Sequence, residues 1–370
     1  MSAEDKQKRY GIYIHIPFCR AKCGYCAFTS VTDFTAQKPY VDALKKEMRS
    51  SAARGATADT VYIGGGTPSC LYGGAINDII MCVRDCFDLR SDAEITVECN
   101  PESATEDFVS ECADCGVNRI SMGLQSSRDE VLRAVGRIHS FSDYLSAVKR
   151  IKTRFDNISS DIILGLPRQT PDDISESVSV ISEYCDHISV YALTVEDGTP
   201  IHESGYMPND DFIADLYALA CERLRCAGFD RYEVSNFARN GRQSKHNNKY
   251  WNCEPYLGFG VAAHGYDGEY TRYKHTENIG EYISFPHAES YGLTDKDRFN
   301  EYVMLRLRTE SGLSCDAFMR RFGYSFYDVR AKEIAQLSSG GYILEDDGRV
   351  RIAPEYMFVM NGIIENLMLD

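Results

Sequence analysis

The sequence predicts an α/β protein, a partial (β/α)6 barrel followed by a C-terminal winged-helix-like domain. Two patterns carry this. Short β-branched runs alternate with longer amphipathic ones from residue 11 to about residue 225, the mark of successive β-α units around a parallel sheet. From residue 297 onward, helical stretches lead into a hairpin and a closing helix. At 370 residues and 44% hydrophobic content, the chain is long enough for one large domain and a smaller one.

Strands are expected over residues 11–16, 60–63, 94–98, 118–122, 159–164 and 187–193. The intervening helices centre on 40–54, 75–87, 106–115, 129–135 with 141–153, 171–184 and 212–227. Six such units with right-handed crossovers curl into a partial barrel. After residue 227 the pattern gives way to a glycine-, asparagine- and tyrosine-rich stretch over 229–273 without strong periodicity. A second unit then reads helix 297–309, helix 315–321, helix 326–338, strands 342–345 and 350–352, and helix 356–368. Its hairpin turns at Asp346-Asp347-Gly348-Arg349. The expected division is 1–228 for the barrel, 229–293 for a connecting region and 294–370 for the winged-helix-like domain. Winged helices often bind DNA, but the segment 327–337 carries Asp328 and Glu333 beside Arg330 and Lys332, which fits a protein contact or a lid.

Composition narrows the function. Against 40 Lys and Arg stand 55 Asp and Glu, a net charge of −15 that disfavours a nucleic-acid partner. The start, Met1-Ser2-Ala3-Glu4-Asp5-Lys6, is polar, and no apolar run approaches membrane-spanning length. A cytoplasmic protein without a transmembrane segment is expected, touching membranes only through partners. Its 14 cysteines are mostly scattered, as free thiols of a reducing compartment would be. The close pairs Cys82/Cys86 and Cys112/Cys115 fall in helical stretches and read as buried thiols.

The exception is Cys19, Cys23 and Cys26, a C-x3-C-x2-C triplet directly after the first strand. Three thiolates in so short a loop can hold three irons of a cubane [4Fe–4S] cluster and leave the fourth open to a ligand. Zinc sites usually take four ligands from paired motifs, and no second pair lies at that spacing nearby. A chance grouping of buried thiols is the remaining reading.

Other polar groups stand at the C-terminal ends of the strands, the rim where β/α barrels assemble their chemistry. Gly64-Gly65-Gly66-Thr67-Pro68 follows the second strand and lacks the lysine of a phosphate-binding Walker loop. It serves as a tight turn or as a backbone cradle for a cluster-bound ligand. Glu98, Gln125 and Asp161 close or occupy the third, fourth and fifth strands, as surface groups or as contacts for ribose hydroxyls or an ammonium. Arg137 is either a carboxylate partner or an ordinary helix-end arginine. Beyond the barrel, His246-Asn247-Asn248-Lys249-Tyr250-Trp251 holds the only tryptophan. Its histidine is a structural loop residue or a haem-iron ligand beneath aromatic cover, and His264 is a second candidate.

The lead-in YIHIPFC, the cysteine triplet, GGGTP, VECNPE, SMGLQS, DIILGLP and the winged C-terminal unit occur in the order seen in radical S-adenosylmethionine (SAM) proteins. Across nearly its whole length the chain resembles their oxygen-independent coproporphyrinogen III oxidase group, and within it the haem-chaperone branch. The resemblance implies that Cys19, Cys23 and Cys26 ligate the cluster and that SAM chelates its open iron. It places Tyr13, Gly65, Glu98 and Ala192 at this SAM, and Tyr25, Gly66, Thr67, Gln125, Arg137 and Asp161 where the oxidase holds a second.

Two departures count against decarboxylation. Phe28 stands where the oxidase has a further cysteine, and only ten residues precede the first expected strand, where the oxidase carries a long extension. The intact H-N-x-x-Y-W motif marks the chaperone branch and there associates His246 with haem. The expectation is a haem chaperone that passes haem to an acceptor protein, as a monomer or homodimer in porphyrin metabolism, with no residue singled out as catalytic. The alternatives are the oxidase reaction by radical SAM cleavage and, less well supported, a radical SAM methyltransferase.

Overall fold

The structure is a computed structural model that describes residues 8–369, so the polar start Met1-Ser2-Ala3-Glu4-Asp5-Lys6 lies outside the described residues. Six parallel strands pair in chain order: β1 (Tyr10–Ile16), β2 (Thr57–Gly65), β3 (Asp88–Cys99), β4 (Arg119–Gln125), β5 (Ile158–Leu164) and β6 (His187–Ala192). Between them run α1 (Gln37–Ser50), α2 (Ala75–Cys86), α3 (Glu106–Asp114), α4 (Asp129–Ala134), α5 (Phe141–Lys152) and α6 (Pro171–Tyr184). Sequence chemistry sets several starts: α5 and α6 open on reciprocal caps, Ser140 with Asp143 and Thr170 with Asp173.

Side chains alternate across each strand, so one face of the sheet meets the helices and the other faces inward. Ile12, Ile14, Val61, Ile63, Val97, Ile120, Met122 and Ile188 pack with Val41, Leu44, Ile79, Val83, Val148 and Ile174 of the helices in one apolar core. The inward face is polar. Register places Tyr13 beside Tyr62, Tyr62 beside Thr96, Glu98 beside Ser121, Gly123 beside Asp161 and Asp161 beside Ser189. A sheet covered by helices on one side only thus carries polar groups into the hollow that opens at the rim.

The greatest difference from the sequence reading lies after residue 227. Following α7 (Pro200–Glu203) and α8 (Asp210–Cys226), the aperiodic stretch holds β7 (Asp230–Arg231), β8 (Asn236–Ala238), α9 (Lys245–Trp251), β9 (Tyr256–Phe259), β10 (His264–Tyr266) and β11 (Thr271–His275). Next come α10 (Ile279–Ser284) and β12 (Ala288–Gly292). These strands extend the sheet at both edges, giving the order β12-β11-β10-β9-β1-β2-β3-β4-β5-β6-β8-β7. Strands of two to five residues are too short to establish a period, and the pairings that join them to the barrel, β9 with β1 and β8 with β6, link segments far apart in sequence. The H-N-x-x-Y-W segment is likewise a helix, capped by Ser244, whose side chain accepts from the Asn247 N–H.

The C-terminal part consists of α11 (Asp295–Leu307), β13 (Leu313–Ser314), α12 (Cys315–Phe322), α13 (Phe326–Ser339), β14 (Ile343–Asp346), β15 (Arg349–Ile352) and α14 (Asn361–Glu365). The closing helix expected over 356–368 is instead a 3-10 segment, Pro354–Val359, followed by the short α14. Arg330 donates to the Leu367 and Met368 carbonyls at 3.1 and 2.7 Å, which occupies a cation that a DNA-reading helix would turn outward. Among the described residues no helix is long and apolar enough to cross a membrane.

Candidate cofactor site at the barrel rim

β1 delivers the chain into the cysteine loop, which backbone hydrogen bonds hold open. Cys19 N–H donates to Val31 O (3.0 Å), Val31 N–H to Pro17 O (2.7 Å), Gly24 N–H to Val135 O (2.8 Å) and Ile201 N–H to Gly24 O (2.9 Å). The glycine turn after β2 locks onto the same strand end, through Gly66 N–H to Ile16 O and Thr67 N–H to Phe18 O, both 2.8 Å.

Each glycine of that turn has a steric reason. A Cβ on Gly64 would lie 2.7 Å from the Glu98 carboxyl carbon, and one on Gly66 would lie 2.7 Å from the Ile16 carbonyl oxygen. Gly65, at φ +105°, sits over His15, whose ring would be 2.4 Å from a Cβ. His15 accepts from the Tyr13 hydroxyl at Nδ1 (3.0 Å) and donates from Nε2 to the Thr29 carbonyl (2.9 Å). It pins the outgoing end of the cysteine loop, and burial holds its ring neutral by lowering its pKa.

Above these elements opens a cavity of about 450 Å³ lined by Cys19, Cys23, Cys26, Tyr25, Gly65, Gly66, Thr67, Glu98, Gln125, Arg137, Asp161 and Ala192. These are the residues the sequence singles out for cluster and SAM, save Tyr13. A neighbouring cleft, also about 450 Å³, contains Tyr13, His15, Phe28, Tyr250, Tyr256 and His264, and Phe28 borders both spaces. Phe28 is 64% exposed.

Asn100 organises the cavity, and sequence reasoning missed it. Arg137 donates to Asn100 Oδ1 (3.0 Å) and Gly123 O (3.1 Å), and its other terminal nitrogen reaches Cys23 Sγ at 3.6 Å. Asn100 Nδ2 donates to Thr67 Oγ1 (3.1 Å), which donates on to Cys19 Sγ at 3.4 Å. One polar chain therefore joins the cysteine loop, the glycine turn and the third and fourth β-α turns. The available signal was the position of Asn100 two residues beyond Glu98, in the same strand-ending turn.

Glu98 accepts from the Tyr62 hydroxyl (2.6 Å) and the Gly65 N–H (3.0 Å). Burial outweighs these bonds and, with the nearby Asp161 charge, pushes its carboxyl up to about 7. Burial likewise raises Asp161 to about 6. Gln125 holds a left-handed backbone, φ 70°, and its buried Oε1 has no hydrogen-bond partner. A strained residue with an orphaned acceptor at the cavity wall fits a site completed by a donor-bearing ligand. Among the described residues no three His, Cys, Asp or Glu side chains converge on a single-ion position. Cysteines set apart around a loop suit a multi-iron cluster, whose corners take one thiolate each.

His246, which the resemblance associates with haem, lies outside the cysteine-lined cavity. Its ring is 0% exposed, within hydrogen-bond distance of Thr60 Oγ1 through Nδ1 and the Tyr250 hydroxyl through Nε2, both 2.8 Å. Its backbone N–H donates to Glu94 (3.0 Å), and its ring stacks on Tyr62 with centroids 5.3 Å apart. With both ring nitrogens engaged, His246 acts in this structure as a strut between α9 and β2 and lines neither the cysteine cavity nor the neighbouring cleft. Burial lowers its pKa to about 3. The motif reaches the neighbouring cleft through Tyr250.

Residues 13–181 match the radical SAM superfamily and residues 293–359 the HemN C-terminal domain. The chain is 32% identical to the heme chaperone HemW of Bacillus subtilis, over 95% of this chain and 97% of that protein. It is 36% identical to the heme chaperone HemW of Mycobacterium tuberculosis, over 82% and 83% of the two chains. It is also 32% identical to the mitochondrial radical S-adenosyl methionine domain-containing protein 1 of Mus musculus, over 99% and 89%. Among solved structures, coproporphyrinogen III oxidase (HemN) from Escherichia coli, a radical SAM enzyme, superimposes with a TM-score of 0.82. That match covers 98% of this chain and 90% of the oxidase at 21% identity, a likeness of fold.

Proposed function

The chain belongs to the HemW family of the radical SAM superfamily, and from this premise we propose that it binds haem and passes it to an acceptor protein. The observation that carries the reading is the aromatic cleft set beside the cysteine-lined cavity, with Phe28 between them. A flat apolar macrocycle suits a cleft walled by Tyr13, Phe28, Tyr250 and Tyr256.

In this proposal Cys19, Cys23 and Cys26 hold a [4Fe–4S] cluster, which would supply one-electron chemistry when loaded with SAM. Gly65, Glu98 and Ala192 line the adjoining SAM position, while Tyr13 lies in the neighbouring cleft. Tyr25, Gly66, Thr67, Gln125, Arg137 and Asp161 complete the cavity. Cluster and SAM serve to favour one conformation of the rim and so to control haem release, since a ligand shifts a population by its differential affinity. Phe28 in place of a further cysteine argues against coproporphyrinogen decarboxylation.

The test is an anaerobic haem titration of cluster-loaded protein, followed in the Soret band, and then mixing with an apo-globin as acceptor. Saturation near one haem per chain with transfer to the globin is expected. Absence of saturable binding overturns the proposal.

Glu98 gives a pH-dependent prediction. SAM bears a permanent sulfonium charge and ribose hydroxyl donors, so it favours the ionised carboxylate over the acid. With the carboxyl near 7, ionisation rises between pH 6 and 8, and SAM affinity is expected to rise with it by up to about tenfold. Calorimetric titration at both pH values should show this slope in the wild type and a flat profile in Glu98→Gln. An equal slope in the variant removes Glu98 from the SAM site.

A further inference from the structure

We propose that the iron of the carried haem is ligated by the exposed imidazole of His264, with the ammonium of Lys274 beside it pairing a haem propionate. The assignment rests on the haem-carrier reading and deepens it by naming the seat. Haem asks three things of a protein: a neutral nitrogen donor for iron, flat apolar walls for the macrocycle, and cations for two propionates.

His264 is the histidine of the cleft that can meet the first requirement. It is exposed, lines the cleft, and no hydrogen bond engages its ring among the described residues. The other histidine there, His15, has both nitrogens occupied by Tyr13 and Thr29. His246 is sealed beneath Tyr250, and freeing it would break two side-chain hydrogen bonds and a ring stack.

The backbone that carries the imidazole is firmly placed. It stands on β10, paired with β9 and β11, rather than on a loop. Two glycines allow that strand to close up: a Cβ on Gly258 would lie 1.9 Å from the His264 carbonyl oxygen, and one on Gly265 would lie 2.1 Å from the Tyr273 ring. Tyr273 clamps the pair further, its hydroxyl accepting from the Gly258 N–H at 2.9 Å.

The cations stand alongside. His264 is directly opposite Lys274 in the antiparallel register, so both side chains project from one face. Lys274 is exposed, and no carboxylate lies within ion-pair distance of it among the described residues. Arg272, two residues before it, is held by Glu301 and contributes field rather than a free hand, and Glu277 is the acidic neighbour. Aromatic walls complete the seat: Tyr250 and Tyr256 pack edge to face at 4.7 Å, with Tyr13 behind and Phe28 at the border with the cysteine cavity.

The experiment titrates haem into cluster-loaded wild type, His264→Ala, His264→Gly and Lys274→Ala. Visible absorption of the cluster reports that each variant is intact, which exposed positions favour. His264→Ala is expected to lose about tenfold or more in affinity along with the wild-type Soret position. Added imidazole should restore that spectrum in His264→Gly, and Lys274→Ala should weaken binding about threefold without moving the band. Unchanged affinity and spectrum in His264→Ala overturns the assignment while leaving the carrier reading standing. Absence of saturable binding in the wild type overturns both.

Discussion

Cys23→Ala protein, reconstituted anaerobically with iron and sulfide, is expected to retain below about a tenth of the iron of the wild type. In the proposed site the triplet provides three thiolates for three cluster corners, and the other cysteine of the cavity lining, Cys99, is buried and held on β3. Cys23 also ends the chain of contacts from Arg137, which links the loop to Asn100 and Gly123. Iron and sulfide analysis with visible absorption measures the loss. Wild-type iron content in the variant would remove Cys23 from the cluster. Combining the substitution with Cys19→Ala and Cys26→Ala tests the regulatory role, because haem transfer to the apo-globin should then change in rate. Transfer at the wild-type rate would show that cluster and SAM do not control release.

Glu47→Ala is expected to cost about 3–5 kcal/mol of stability, the range for removing one partner of a buried ion pair. Glu47, on α1, receives His275 Nε2 at 2.5 Å, the Tyr282 hydroxyl, and the Gly260 N–H at 3.2 Å. His275 donates its other nitrogen to the Ala263 carbonyl at 2.9 Å, so its imidazolium is satisfied on both sides. One carboxylate therefore fastens the turn between β9 and β10, the strand β11 and the helix α10 onto the barrel. Burial opposes the charge of His275, but the Glu47 contact prevails and raises its pKa. A histidine with a raised folded-state pKa contributes stability that is complete below its unfolded value near 6.5 and is lost as pH rises through the folded value. Urea unfolding at pH 6 and 8 measures both effects. The wild type should lose part of this contribution at the higher pH, and the variant should show a shallower dependence. A loss of less than about 1 kcal/mol would mean that the network does not hold the edge strands.

The barrel strands and the rim are legible because their signals are local. A cysteine triplet, three successive glycines and Glu98 each lie within one strand and the turn that follows it, so their shared position at the rim follows from β-α alternation. Asn100, His15 and Tyr62 matter through partners in other turns, loops and strands. The packing of the third and fourth β-α turns, rather than spacing, brings Asn100 to Arg137, and pairing of β2 with β3 brings Tyr62 to Glu98. Tyr13 falls into the neighbouring cleft because alternation along β1 puts it on the inward face, one pair of residues before the rim.

By itself the sequence determined a six-unit parallel α/β core, a three-cysteine loop at its rim and a winged C-terminal unit, since periodicity and capping act over a few residues. Only the tertiary structure decided how the two histidines of the connecting region are used. Glu94 on β3 accepts the Lys245 and His246 N–H groups at 3.1 and 3.0 Å, which turns α9 inward and buries His246. Parallel pairing of β9 with β1 carries β10 along and leaves His264 facing open space. Both outcomes depend on contacts between residues more than a hundred positions apart, where burial and hydrogen-bond geometry outweigh any pattern the local sequence can hold.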